Sequence, residues 1–309
     1  MDAGPDETPQ HPDATPTLFR AARISVLLVL GLVTLGALVA ALAGYFNPVL
    51  YLITFGGMIA FHAATNLTND FFDVKHEVDM MGAPTTKYRP HPVAAGAESP
   101  VTIQKWAALF YGLALLSSVF LAFSRSPLVF VIVGGGILGS ILYTADPVVL
   151  KARGLGEITV FLMWGPLVPL GAYLVQTGTL SILPVILAIP IGLLVALVLM
   201  ANNIRDIEYD GSVGMKTVPV LLGKARSVSL YDSLLGLTYA LVPIFILARL
   251  LPIWSLLVFI TLPESLGLWR MFGDQIPDNA DPRTAGLALK FALAYMAALI
   301  LQIVIPVHI

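Results

Sequence analysis

Apolar stretches of about 20 residues, the length a helix needs to cross a bilayer, recur along the chain between shorter polar breaks. They predict nine helices, near 24–45, 49–72, 103–123, 127–146, 156–176, 181–204, 228–249, 252–272 and 285–306. The breaks alternate in kind. "GYFNP", "SRSP", "QTGTLS" and "ARLLP" are short, whereas 73–102, 147–155, 205–227 and 273–284 are long and polar. The expected fold is an all-α membrane protein, nine transmembrane helices around a central cavity, occupying residues 20–309. Residues 1–19, rich in Pro, Asp and Thr without Lys or Arg, read as a disordered tail and lack the basic start of a secretory signal.

Two of the predicted helices break the apolar pattern at the same end. In "ATNLTNDFFDVKHEVDMMG" (63–81), helical steps of three and four align His62, Asn66, Asn69 or Asp70, Asp73 and Glu77 on one stripe. After the sixth span, "ANNIRDIEYD" places Asn202, Asp206 and Asp210 on one face, with Asn203 and Glu208 beside them. A polar stripe in an apolar helix must face the protein interior or a watery cavity. Each cluster ends an even-numbered helix that follows a short loop, so the chain reads as two loosely repeated four-helix units plus one helix.

Composition sharpens the class. Hydrophobic residues make up 57% and charged residues 12% of the chain, with a mean hydropathy of +0.86; ordinary soluble domains carry roughly 25% charged residues. A net charge of −2 offers no basic surface for nucleic acid. The absence of cysteine excludes disulfides, thiolate metal sites and cysteine nucleophiles. Of the 17 Lys and Arg, all but Arg125 and Arg249 fall on the side of the long loops, which the positive-inside rule makes cytoplasmic. A multi-pass protein of the cell membrane is expected, with the N-terminus and both acidic clusters cytoplasmic and, nine being odd, the C-terminus outside.

Four acids, Asp70, Asp73, Glu77 and Asp79, repel one another, and Lys75 alone cannot balance them. Facing acidic clusters suit a hard cation: Mg²⁺ prefers oxygen ligands and is usually held by one or two carboxylates together with substrate phosphates. A pyrophosphate bridging Mg²⁺ ions would join the two clusters, and the bilayer setting makes its carrier a lipid. Paired acids on repeated helices also describe a cation-coupled secondary transporter, but there the ions bind in mid-span, not at the cytoplasmic ends.

These residues resemble the UbiA superfamily of intramembrane prenyltransferases. The N-D-x-x-D pattern with a further Asp is similar to Asn69, Asp70, Asp73 and Asp79, and D-x-x-x-D followed by G-x-x-T to Asp206, Asp210, Gly214 and Thr217. The resemblance implies Mg²⁺ on Asn69, Asp70, Asp73, Asp79, Asp206 and Asp210, and a prenyl diphosphate that ionises to a carbocation attacked by an aromatic acceptor. It implies that Asp73, Asp210, Tyr143 and Lys151 serve catalysis, with Arg23, Arg89, Lys151, Asn69 and Asn202 on the diphosphate. "YTADP", "GLGEITVFLMWGPL" and "GAYLVQTG" look like the menaquinone-pathway enzymes that act on 1,4-dihydroxy-2-naphthoate. "TKYRPHPVAAG" is similar to a loop of enzymes acting on 4-hydroxybenzoate or other acceptors, and a glycerol phosphate lipid is a further alternative.

Simpler roles compete at several positions. An acid at a cytoplasmic helix end is ordinarily solvated, and Glu77 and Glu208 read that way. His62 is expected to bond a neighbouring helix, Phe161 and Trp164 to pack, and Gly134, Gly135, Gly136 and Gly139 to let helices approach closely. Glu157, Phe161 and Trp164 share one face of the fifth span, which is expected to look into the cavity.

Overall fold

The computed structural model describes residues 25–78, 80, 83, 84, 93, 96 and 98–307. Arg23, Asp79 and Arg89, and the tail 1–19, lie outside the described residues. The helices are α1 (Ser25–Leu42), α2 (Pro48–Lys75), α3 (Pro100–Ser124), α4 (Leu128–Thr144), α5 (Gly156–Thr177) and α6 (Leu183–Arg205). They continue with the short α7 (Ile207–Ser212) and α8 (Val218–Leu222), then α9 (Lys224–Leu247), α10 (Leu262–Asp274) and α11 (Ala280–Val304). Among the described residues, seven helical segments are long and apolar enough to cross a membrane. Two shorter apolar helices, Gly31–Leu42 and Leu128–Thr144, fall where the first and fourth spans are expected. The described residues contain no sheet, only an isolated bridge between Arg153 and Lys216.

Local chemistry sets the helix starts. Asn47 caps α2, its Oδ1 accepting from the amides of Val49 (3.0 Å) and Leu50 (3.1 Å), and Pro48 follows in the first turn, where no amide is needed. Ser99 and Pro100 start α3 in the same way. Two predicted spans are less regular than their hydropathy suggests. Span 252–272 begins as a 3-10 helix, Ile253–Thr261, before α10; Pro263 in the first turn of α10 has no amide to carry an α-helical bond back into that segment. Within α5, Met163–Leu167 widens to a π-helical turn around Pro166.

The main core lies between α1, α6, α9 and α11, where Leu32, Leu35, Ile191, Leu194 and Phe291 are fully enclosed. Tyrosines enter it with their hydroxyls satisfied, Tyr295 donating to the Leu187 carbonyl at 3.0 Å and Tyr231 paired with Thr284 at 2.8 Å. Helices approach through small residues: a Cβ on Gly192 would lie 2.8 Å from the Gly165 Cα, so α5 and α6 cross with backbones touching. On the outside, Leu116, Phe123, Leu247 and Ile260 are more than two-thirds exposed, as side chains facing lipid tails would be.

An apolar cavity, partly open to the outside, lies between α2, α3, α4 and α5. Each helix lends it a stripe at helical spacing, such as Thr54, Gly57, Met58 and Phe61 from α2 and Val129, Ile132, Val133 and Gly136 from α4. It has about 770 Å³ of open volume. Its hydroxyls are turned away: those of Thr54, Ser117 and Ser118 all donate to carbonyls of their own helices, leaving an apolar lining. Gly136 approaches Phe61, and Gly139 is covered by Met163, as close packing requires. Gly134 and Gly135 face open space, so they play no part in it.

Candidate functional site

The first acidic cluster forms because α2 stays helical past its apolar part, as far as Lys75. Asp70 and Asp73 are buried there, 5% and 2% exposed, while Glu77 beyond the helix end is exposed. The positive charge that the sequence leaves missing comes from Lys151. Its Nζ donates to Asn69 Oδ1 at 2.8 Å and forms a short ion pair with Asp73, to which Asn69 Nδ2 also donates. Lys151 is itself 8% exposed, and its Nζ sits 5.9 Å from the Tyr143 ring centroid, a cation–π distance.

Lys151 reaches this position through an unusual backbone. Val149 has φ 47°, a left-handed conformation that a β-branched residue rarely adopts, and the chain then closes one 3-10 turn, Leu150–Ala152. The loop is pinned at both ends. Asp146 accepts from Lys75 (2.7 Å) and pairs with His76 (3.1 Å), and these neighbours hold its carboxyl below the usual carboxylate range. At the other end the Lys216 amide donates to the Ala152 carbonyl at 3.2 Å.

The second cluster follows α6. Arg205, with its side chain 5% exposed, grips Asp206 with two bonds of 2.6 Å, from Nε and Nη2. Its remaining donors go to Asn202 Oδ1 (2.8 Å), the Asp278 carbonyl (3.0 Å) and, in a short ion pair, Asp281 in the first turn of α11. Asp210 is buried and accepts from Thr217 Oγ1 at 3.4 Å. Gly214, at φ +78°, supplies the turn that brings Thr217 back, which gives the G-x-x-T pattern a mechanical reason. Tyr209 Oη donates to the Val78 carbonyl at 2.7 Å, so the two cluster ends touch. Glu208 is exposed.

Of the expected site residues, Asn69, Asp70, Asp73, Tyr143 and Lys151 gather at the end of α2, and Asn202, Asp206 and Asp210 at the adjoining end of α6. Arg205 and Asp281 had not been singled out. The signal for Arg205 was an arginine between Asn202 and Asp206 at an apolar helix end; Asp281 gave none, because its partner lies 76 residues away. His62 Nε2 pairs with Asn66 of its own helix at 3.1 Å, and its ring meets Trp164 of the neighbouring α5 edge-on at 5.1 Å. Phe61 also meets the Trp164 ring, at 6.3 Å, and the two close the apolar cavity on the side of the acidic clusters.

Among the described residues, no three carboxylates or histidines converge into a ready-made metal cage. The donor set nevertheless fits Mg²⁺. Asn69, Asp73, Asp206 and Asp210 are oxygen donors at one end of the bundle, and such sites take one or two carboxylates and complete the shell with substrate phosphate. Two buried carboxylates, Asp73 and Asp206, are neutralised by Lys151 and Arg205; the lysine, with a third donor beyond Asn69 and Asp73, could also face an anionic diphosphate.

A profile of the UbiA prenyltransferase family matches residues 29–299. UbiA prenyltransferase domain-containing protein 1 of Rattus norvegicus is 31% identical over 261 residues, 84% of this chain and 75% of its own. The Homo sapiens protein of that name is 31% identical over 262 residues, with the same shares. Among solved structures, an apo UbiA homologue from Aeropyrum pernix K1 superposes with a TM-score of 0.70 at 18% identity, over 91% of this chain and 98% of its own. A UbiA homologue from Archaeoglobus fulgidus, bound to GPP and Mg²⁺, gives 0.62 at 17% identity, over 92% and 99%.

Proposed function

The chain belongs to the UbiA prenyltransferase family, and from that premise we propose that it moves a polyprenyl group from a prenyl diphosphate to an aromatic acceptor in the membrane, with Mg²⁺. The best-supported acceptor is 1,4-dihydroxy-2-naphthoate, a step toward menaquinone. The transporter reading gives way to family membership. The active site is read as cytoplasmic, in a nine-span protein of the cell membrane whose C-terminus lies outside.

The observation that carries the proposal is the layering at one end of the bundle. Buried carboxylates with their own lysine and arginine lie outermost, the Tyr143 ring lies beneath the lysine, and an apolar cavity lies deeper, behind Phe61 and Trp164. Asn69, Asp70, Asp73, Asp206 and Asp210 would hold the ions, with Asp79 as a further ligand implied by the resemblance. An ion held by these residues would supply neutralisation of the charge growing on the departing diphosphate. Lys151, with two of its three donors on Asn69 and Asp73, has one left for the leaving group, already fixed in place, while Arg205 spends its five N–H groups on protein acceptors and serves by holding Asp206 and Asn202 in position. Tyr143 turns a ring face to the same region, where it stabilises a positive carbon. Asn202, held by Arg205, orients toward the diphosphate, and Arg23 and Arg89 complete the basic set on the strength of the resemblance.

For the acceptor, the supporting feature is the run of Glu157, Phe161 and Trp164 at helical spacing along α5, with the His62 ring edge-on to an indole that lines the apolar cavity: aromatic surroundings that suit two fused rings. Equal 1,4-dihydroxy-2-naphthoate and 4-hydroxybenzoate, offered with one prenyl diphosphate and scored by mass spectrometry, should give chiefly the naphthoate product. Benzoate product alone would replace the acceptor. Prenylation of neither would point to a glycerol phosphate lipid.

A further inference from the structure

Glu157 has a place in this architecture that diphosphate binding does not use. It is the second residue of α5, one step beyond Gly156, whose bare backbone packs against Lys151: a Cβ there would lie 3.3 Å from the Lys151 Cα. Its Oε1 accepts from Asn203 Nδ2 at 2.9 Å. Asn203 Oδ1 in turn accepts from Asn202 at 3.3 Å, and Asn202 Oδ1 from Arg205 at 2.8 Å, so the carboxyl is tied through two asparagines to the Asp206 pair. Its Oε2 is sealed from solvent and has no hydrogen-bond partner among the described residues.

A buried carboxylate oxygen without a donor costs free energy, and in a folded protein it calls for a partner. The depth of Glu157 says what kind. Asn203 precedes Asp206 by three residues, about 4.5 Å deeper along α6 at 1.5 Å per residue. Along α5 from Glu157, Phe161 packs at the Gly165–Gly192 crossing and Trp164 lines the apolar cavity. Glu157 therefore stands between the charged layer and these aromatic rings. The other buried acids at hand are engaged, Asp73 by Lys151, Asp206 by Arg205 and Asp210 by Thr217, and Asp70 too has a partner.

We propose that Glu157 Oε2 is the general base that receives the proton of the acceptor's ring hydroxyl. As the prenyl C1–O bond breaks, its electron pair leaves with the diphosphate. A ring C=C pair forms the new bond to C1, the O–H bond breaks, its pair closes a C=O, and the proton passes to Oε2. Asn203 is the positioning residue that keeps Oε1 occupied and aims Oε2. This assignment rests on the aromatic-acceptor reading above.

The test is Glu157→Gln, which keeps the shape and the Asn203 bond, assayed on phenolic acceptors of graded acidity. Loss of a positioned base costs typically 10²–10⁴-fold. We expect a loss of that size in kcat for weakly acidic hydroxyls, shrinking steadily as the hydroxyl becomes more acidic. Binding of geranylgeranyl thiodiphosphate with Mg²⁺ should stay within about threefold of wild type, and Glu157→Asp should keep more activity than the Gln variant. An equal loss on every acceptor, or loss of thiodiphosphate binding, would make Glu157 structural and overturn the assignment. So would a Gln variant as active as wild type. If the wild-type protein prenylates no phenolic acceptor at all, the underlying reading fails with it.

Discussion

Lys151 and Asp73 are both nearly enclosed, and this makes their pair fragile to one-sided change. Removing one partner of a buried pair leaves a charge without compensation and costs about 3–5 kcal/mol. Lys151→Met should therefore lower the melting temperature of the metal-free protein. Mg²⁺ should restore part of the loss, because the ion supplies the charge that the lysine no longer does, while prenyl transfer stays low. Melting curves of wild type and variant in MgCl₂ and in EDTA check this; a Lys151→Met deficit unchanged by Mg²⁺ would mean the ion does not reach Asp73. The acids were legible in the sequence, since aspartates and asparagines stand out against an apolar helix. How Lys151 reaches them was not, because the path runs through a left-handed Val149 and a 3-10 turn that carry no periodic signal. Arg205 was read only as one of many cytoplasmic basic residues; its grip on Asp206 and Asp281 depends on where α11 begins.

The crossing of α5 and α6 decides how Glu157 meets Asn203. Gly192 and Gly165 let the two backbones touch, and any side chain there must push them apart. Gly192→Leu should destabilise the protein by about 1–3 kcal/mol, the usual cost of overpacking, and should lower activity because it loosens the Glu157–Asn203 contact. Thermal denaturation and transfer assays on one preparation check this; a variant of unchanged stability and activity would mean the crossing does not set the site. Hydropathy located both helices, and helical spacing placed Glu157, Phe161 and Trp164 on one face. The π-helical turn inside α5 and the 3-10 start of the span before α10 were invisible to it, since hydropathy counts apolar residues and not the amides that Pro166 and Pro263 withhold.

The whole molecule divides its labour by depth. Apolar helices place it in the bilayer, one end collects oxygen donors with two internal cations, and the space beneath has an apolar lining. In the proposed mechanism the acidic ends of α2 and α6 act on one Mg²⁺-bound diphosphate. The most direct test measures prenyl transfer by wild type, Asp73→Asn, Asp210→Asn and the double variant, each with Mg²⁺ and with EDTA. Transfer by wild type should vanish in chelator, each single variant should lose about a thousandfold or more, and the double should be scarcely worse than either, as for residues that work as a unit. Full turnover in EDTA, or substantial transfer by either single variant, would contradict it.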